Sequence, residues 1–222
     1  VAVLAVVIAI LQSGAVLGPG HVPPVPEPGL TGAFFVRGRG PLAMSDDLAW
    51  ETRDSDVAYT CPGFDVVHED VTLPDGTATD YDYLHDDPAV VVLPFTPDGD
   101  VVVIEEWRQA VKRVNRGLPA GSVDDGDDDL VATAHRELTE ETGYVADEVA
   151  YLNSFEPANG IADAVHHYFV ATGATPDGDQ DLDFNESIRV DTTDLATLRA
   201  SVLAGEVRDG RTALGVLLYE AD

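Results

Sequence analysis

Cysteine occurs once in this chain, at Cys61, and lysine once, at Lys112. A single thiol excludes an intrachain disulfide framework and a thiolate-rich metal site. Cys61 is expected to be a small buried packing residue, and a reducing cytoplasm fits it. Bases are scarce altogether: 12 Lys and Arg stand against 41 Asp and Glu, a formal net charge of −29. So negative a protein repels nucleic-acid phosphates and anionic membranes, and neither is expected as a partner. Long apolar runs are also missing. The one at Val1–Leu11 is too short to span a bilayer and lacks the basic flank of a secretory leader. The acids, mostly Asp, are spread over the domain rather than blocked in a tail. That pattern reads as adaptation to molar salt, where counterions screen self-repulsion, rather than as one acidic docking surface. A halophilic source is the expectation.

Composition breaks at Met44, the only methionine. Residues 1–43 hold one acid, Glu27, and two bases, Arg37 and Arg39, and are rich in Gly and Pro. They are expected to be a non-native or disordered extension from a translation start assigned too far upstream; a membrane anchor is the competing reading. Residues 44–88 read as an N-terminal β region and 89–222 as the main domain. Phe64–Leu73 and Thr77–Leu84 predict a hairpin around Pro74-Asp75-Gly76. Ala89–Pro94 and Val101–Glu106 predict a second pair around Asp98-Gly99. Val149–Phe155, His166–Thr172 and a short Ile188–Val190 read as strands, Leu195–Leu203 and Thr212–Tyr219 as helices. Mixed strands with helices outside predict an α+β fold, an α/β/α sandwich with a mixed sheet and an N-terminal antiparallel hairpin region.

The densest chemistry lies in Arg136-Glu137-Leu138-Thr139-Glu140-Glu141-Thr142-Gly143-Tyr144. Leu130, Val131, Ala134 and Leu138 recur at helical spacing, Asp127 to Asp129 offer an N-cap, and Gly143 a C-terminal stop. On that helix Glu137, Glu140 and Glu141, spaced i, i+3, i+4, share one side, with Cβ atoms about 5–6 Å apart. At about 100° per residue Glu141 falls roughly 20° from Leu130, on the edge of the apolar stripe. A carboxylate there is partly buried and needs a partner. An acidic helix face is commonly just solvated; the misplaced Glu141 and the Gly-rich run before the helix point instead to a divalent cation, Mg²⁺ or Mn²⁺, for which oxygen clusters are suited.

These residues resemble the Nudix hydrolases, whose box runs G-x5-E-x7-R-E-U-x-E-E-x-G-U with U a bulky apolar residue. Gly121 and the nine positions from Arg136 to Tyr144 match it. The spacing between Gly121 and Arg136 is one residue longer than in the family, and Asp127 or Asp128 stands for the first glutamate. Leu118-Pro119-Ala120-Gly121, Glu106-Trp107-Arg108-Gln109 and segments beyond the box resemble the ADP-ribose pyrophosphatase-like branch, over roughly residues 57–220. Gly117 departs from it, where that branch usually has Glu.

The resemblance implies a Nudix-type sandwich and divalent-metal-dependent hydrolysis of a nucleoside diphosphate linked to X, foremost ADP-ribose to AMP and ribose 5-phosphate. NADH, a sugar nucleotide or a damaged nucleotide are alternative substrates, and a non-catalytic nucleotide sensor is the rival class. By motif position Glu137, Glu141 and the Ala120 carbonyl are metal ligands, and Glu140 a further ligand or supporting acid. Arg136 orients the carboxylates by bidentate pairing. Glu186, in a loop with Asp177, Asp179, Asp181 and Asp183, is the activating base or an additional ligand. Arg108 is a phosphate contact or a structural residue, and Gly121 borders the substrate. The adjacent His166 and His167 point to opposite sides of a strand and read as structural. A homodimer is also expected.

Overall fold

The computed structural model describes residues 46–124, 126–127 and 129–221. The expected extension at 1–43 and Asp128 lie outside the described residues. After a short 3₁₀ turn at Asp46–Leu48, strands β1 (Glu51–Cys61), β2 (Phe64–Thr72) and β3 (Ala78–His85) form an antiparallel sheet with β2 in the middle. The β2–β3 turn closes as its residues dictate. Gly76 takes φ 85°, and Asp75 accepts the Thr77 amide at 2.9 Å. β1 was not foreseen: every residue from Glu51 to Thr60 is exposed, so no apolar alternation marks it. Cys61, expected buried, is half-buried at its end, with Sγ 3.2 Å from the Phe64 carbonyl.

The main body has two further sheets, β10-β5-β6 and β7-β4-β9-β8, built from β4 (Ala89–Pro94), β5 (Asp100–Arg108), β6 (Arg113–Gly117), β7 (Ala120–Ser122), β8 (Glu148–Phe155), β9 (His166–Thr172) and β10 (Ile188–Asp194). β4 and β9 run parallel and the other pairs antiparallel. The expected β4–β5 hairpin needs correcting. The Asp98-Gly99 turn forms, with Gly99 at φ 89°, but a single Phe95–Val101 bridge joins the strands before they part into different sheets. β6 then pairs with β5 and β7 with β4, so the chain crosses from one sheet to the other between them.

Both faces of β4 are buried. Val90 and Val92 pack with Ala134 and Leu138 of α1 (Leu130–Thr142), while Val91 and Leu93 pack with Leu198 of α2 (Leu195–Leu203) and Val216 of α3 (Gly210–Ala221). A strand buried twice reads as the continuous apolar run Val90–Leu93. Helices on opposite faces of the strands make the α/β/α sandwich. The N-terminal sheet docks on its edge through Leu84, which exchanges backbone hydrogen bonds with Ile161 and Asp163, and through His85 Nδ1, 2.6 Å from Asp163 Oδ2. No helix among the described residues is long and apolar enough to cross a membrane.

Candidate active site

Helix α1 is fixed at both ends by its own sequence. Asp129 caps the start by accepting the Val131 amide, and Gly143, at φ 70°, ends it with its amide on the Thr139 carbonyl. Its buried side holds Ala134 and Leu138 and also Glu137 and Glu141, which are 8% and 3% exposed. Glu141 Oε2 accepts the Ala120 amide at 2.8 Å. The Glu137 carboxylate lies over Gly121, where any Cβ would overlap it. Glycine there lets the Glu137 carboxylate lie directly on the loop, and any Cβ would force that carboxylate to shift.

Arg136 gathers the other acids. Its Nη1 donates to Glu137 Oε1 at 2.7 Å and Glu140 Oε2 at 2.9 Å; its Nη2 donates to Asp127 Oδ2 at 2.9 Å and the Ser122 carbonyl at 3.2 Å. This is not the bidentate grip on one carboxylate that was expected: one nitrogen bridges two glutamates and the other takes an aspartate. Asp127 therefore stands against Arg136.

Arg136, Glu137, Glu140 and Glu141 line a cavity of about 550 Å³ with the Ala120–Ser122 strand. Glu186, Asp181 and Asp183 reach it from the 174–186 loop, and Arg108, Arg211 and His166 from elsewhere. The loop is tied to the end of α1, where carbonyls lack helical partners: Gln180 donates to the Glu141 carbonyl at 2.7 Å, Asp181 N to Glu140 O and Gly178 N to Gly143 O at 3.0 Å each. Glu186 Oε2 accepts the Asp183 amide at 3.0 Å. Arg108 sits in the cavity with Nη2 2.6 Å from Glu106 Oε2, a contact whose angle makes it an ion pair rather than a directed hydrogen bond.

Burial pushes Glu137 up to about 7 and Glu141 up to about 8. For Glu137 the Arg136 charge opposes this and Glu140 adds to it; for Glu141 the Ala120 amide opposes it and Glu137 and Glu186 add to it. Arg136 serves Glu137 but makes no contact with Glu141 among the described ion pairs. Buried carboxylates that repel one another are stable when ionised only if further positive charge joins them. Hard oxygens from Glu137, Glu140 and Glu141 beside the Ala120–Gly121 backbone suit a divalent cation.

Two cavity residues were not foreseen in their roles. His166, read as structural, lines the cavity; its Nδ1 is buried without a hydrogen-bond partner, and burial, aided by Arg211, holds its pKa below the ordinary histidine value. His167 behaves as read, with Nδ1 2.7 Å from Ser154 Oγ on the other side. Arg211 carried one signal: it lies in the first turn of α3, where the helix dipole disfavours a cation.

The fold is an α/β/α sandwich with a glutamate-lined cavity, and the NUDIX domain profile matches residues 85–209. The chain belongs to the Nudix family and is a pyrophosphohydrolase, acting on phosphoric anhydrides. It is 32% identical over 153 residues to the ADP-ribose pyrophosphatase of Bacillus subtilis (strain 168), covering 68% of this chain and 82% of that protein. It is 36% identical over 105 residues to the methanol dehydrogenase activator of Bacillus methanolicus, covering 47% and 56%. The fold matches a crystal structure of an ADP compounds hydrolase with TM-score 0.68 at 20% identity, over 78% of this chain and 92% of that one.

Proposed function

We propose that this protein hydrolyses a nucleoside diphosphate linked to X, foremost ADP-ribose to AMP and ribose 5-phosphate, with Mg²⁺ or Mn²⁺ as activator. The observation that carries the reading is the polarity of the cavity: Glu137, Glu140, Glu141 and Glu186 on its acidic side, Arg108 and Arg211 reaching in from other elements. A pyrophosphate carries two or more negative charges, so carboxylates alone would repel it. Glu137, Glu141 and the Ala120 carbonyl, with Glu140 in support, would hold a divalent cation, which when bound would supply charge neutralisation and a more acidic water.

This chain's own groups do the rest. Arg108 and Arg211 attract and orient the diphosphate. Arg136 holds Glu137 and Glu140 in place through one nitrogen. Glu186 accepts a proton as water adds to phosphorus; the anhydride P–O bond breaks and the leaving phosphate keeps its electron pair. Likeness to the Bacillus subtilis enzyme, over most of both chains, supports ADP-ribose over other diphosphates.

The test is a substrate panel in high KCl with Mg²⁺ or Mn²⁺: ADP-ribose, NADH, a diadenosine polyphosphate and 8-oxo-dGTP. ADP-ribose is expected to have the highest kcat/KM. A preference for NADH would overturn the substrate and leave the reaction class. Tight binding without turnover of any compound would favour a sensor.

A further inference from the structure

β6 ends at Gly117 in the sheet of β5, and β7 begins at Ala120 in the sheet of β4. The chain changes sheets across Leu118 and Pro119, where neither ladder supplies a partner for the Leu118 amide. Pro119 has no amide hydrogen, and its carbonyl accepts from Val92 N at 3.0 Å. Leu118 has one, in a residue only 1% exposed, and it donates to Thr212 Oγ1 at 2.8 Å. Thr212, fully buried, belongs to the first turn of α3, on the opposite side of the sandwich from α1.

The Thr212 hydroxyl has one proton, which it gives to Asp209 Oδ2 at 2.6 Å; its lone pairs remain for Leu118. Asp209 Oδ2 also accepts the Thr212 amide at 2.9 Å, capping α3. Burial acts to raise the Asp209 carboxyl, but Arg211 and the Thr212 bonds outweigh it and hold it below the usual range. A cap needs the amide bond alone. The hydroxyl bond to Leu118 lies outside the helix and ties the crossing to α3. A Cβ at Gly117 would come within 2.9 Å of Thr212 Oγ1 and 3.2 Å of Asp209 Oδ2, so glycine there lets the pair close on the chain. The next amide along is that of Ala120, the one bound by Glu141.

We infer that Asp209 and Thr212 are positioning residues: from α3 they fix the sheet crossing at Leu118–Pro119 and so hold the Ala120 backbone against Glu141. The consequence for catalysis rests on the reading above that Ala120 and Glu141 serve a divalent cation.

The experiment compares Thr212→Val, which keeps the shape and the amide cap but loses the hydroxyl, with Thr212→Ser, which keeps the hydroxyl. Amide hydrogen exchange at Leu118 and Ala120 is read by NMR in metal-free protein, Mn²⁺ binding by electron paramagnetic resonance without substrate, then kcat and KM for ADP-ribose. Thr212→Val is expected to exchange faster at both amides, with α3 amides unchanged. It should bind Mn²⁺ on the order of 10–100-fold more weakly, the usual cost of losing a group that orients a ligand. Its kcat should fall with KM little changed, and Thr212→Ser should restore all three. Wild-type exchange at Ala120 in Thr212→Val overturns the inference, as does faster exchange with unchanged Mn²⁺ affinity or a failure of Thr212→Ser to rescue. Absence of Mn²⁺ binding to the wild type overturns the metal reading instead, and leaves the exchange result to decide the positioning. If Thr212→Val does not fold, Gly117→Ala displaces the same hydroxyl and carries the same readouts.

Discussion

The Glu137 carboxylate covers the backbone of Gly121, in space that a Cβ at that position would occupy. Loop and helix are therefore complementary at the atomic scale, and a methyl group is enough to separate them. Gly121→Ala is expected to displace Glu137 and reduce kcat/KM on the order of 10²-fold or more, the scale of losing one preorganised electrostatic group. Circular dichroism should show the fold retained, because Gly121 lies on a short strand with Glu137 as its obstacle rather than the core. Normal turnover of this variant would mean that Glu137 is free to move without cost.

Glu137→Gln and Glu141→Gln should each lower turnover on the order of 10²–10⁴-fold. Metal-free Glu141→Gln should be at least as stable as the wild type at neutral pH, since it replaces a buried carboxyl pushed up to about 8 by a neutral isostere that can still accept the Ala120 amide; Glu137→Gln should gain less, because it also removes a partner of Arg136. Thermal melts in EDTA at high KCl check stability, and assays at saturating Mg²⁺ check activity. Retained activity in both variants would make these glutamates a passive feature of the helix.

Glu186→Gln separates base from ligand. As the acceptor of the water proton, Glu186 should matter for kcat and little for KM, because that transfer belongs to the transition state. Rescue by extra Mg²⁺ would assign it to metal affinity instead. No change in either parameter, with collapse in Asp183→Ala, would move the role to Asp183, its partner in two backbone-mediated bonds.

The His85–Asp163 contact should make attachment of the N-terminal sheet pH-dependent. The Asp163 hydrogen bond raises the His85 pKa above 6.5. Burial acts to raise Asp163, but the bonds from His85 and the Asp86 amide outweigh it and hold it below 3.8. The His85 contribution is fully present below pH 6.5 and is lost as pH rises through its higher folded value; the Asp163 contribution is present above pH 3.8 and is lost on acidification. The stability gap between wild type and His85→Gln should therefore be widest between those values and narrow on either side. It should be small, since the His85 side chain is 57% exposed. A gap that grows above pH 8 in a series of melts would contradict this assignment.

Salt should be needed for the fold. With net charge −29 and only 12 bases to offset 41 acids, self-repulsion at low ionic strength should loosen the native state. Melting temperature is expected to rise steeply from roughly 0.1 M to 3 M KCl, over which the screening length falls several-fold. A flat profile would remove the argument for adaptation to molar salt.

Helix α1, its caps and the inward tilt of Glu141 could be read directly from the sequence, because a helix is periodic over a few residues and its side-chain directions follow from spacing alone. The β2–β3 turn was legible for a similar reason: Pro74-Asp75-Gly76 carries its own backbone geometry. β1 was hidden because a strand exposed on both faces is held by backbone bonds to β2, which leave no side-chain pattern. The parting of β4 from β5 was hidden because their two apolar runs fit a hairpin as well as two sheets; only the pairing of β7 and β9 with β4, and of β6 and β10 with β5, decides between them. Arg211, His166 and Thr212 are far in sequence from the box at 136–144, and no local rule connects them to it. The packing of α3 on the second face of the sandwich brings Arg211 and Thr212 to the Ala120–Gly121 loop, and the pairing of β9 with β4 brings His166, long-range arrangements that only the folded chain specifies.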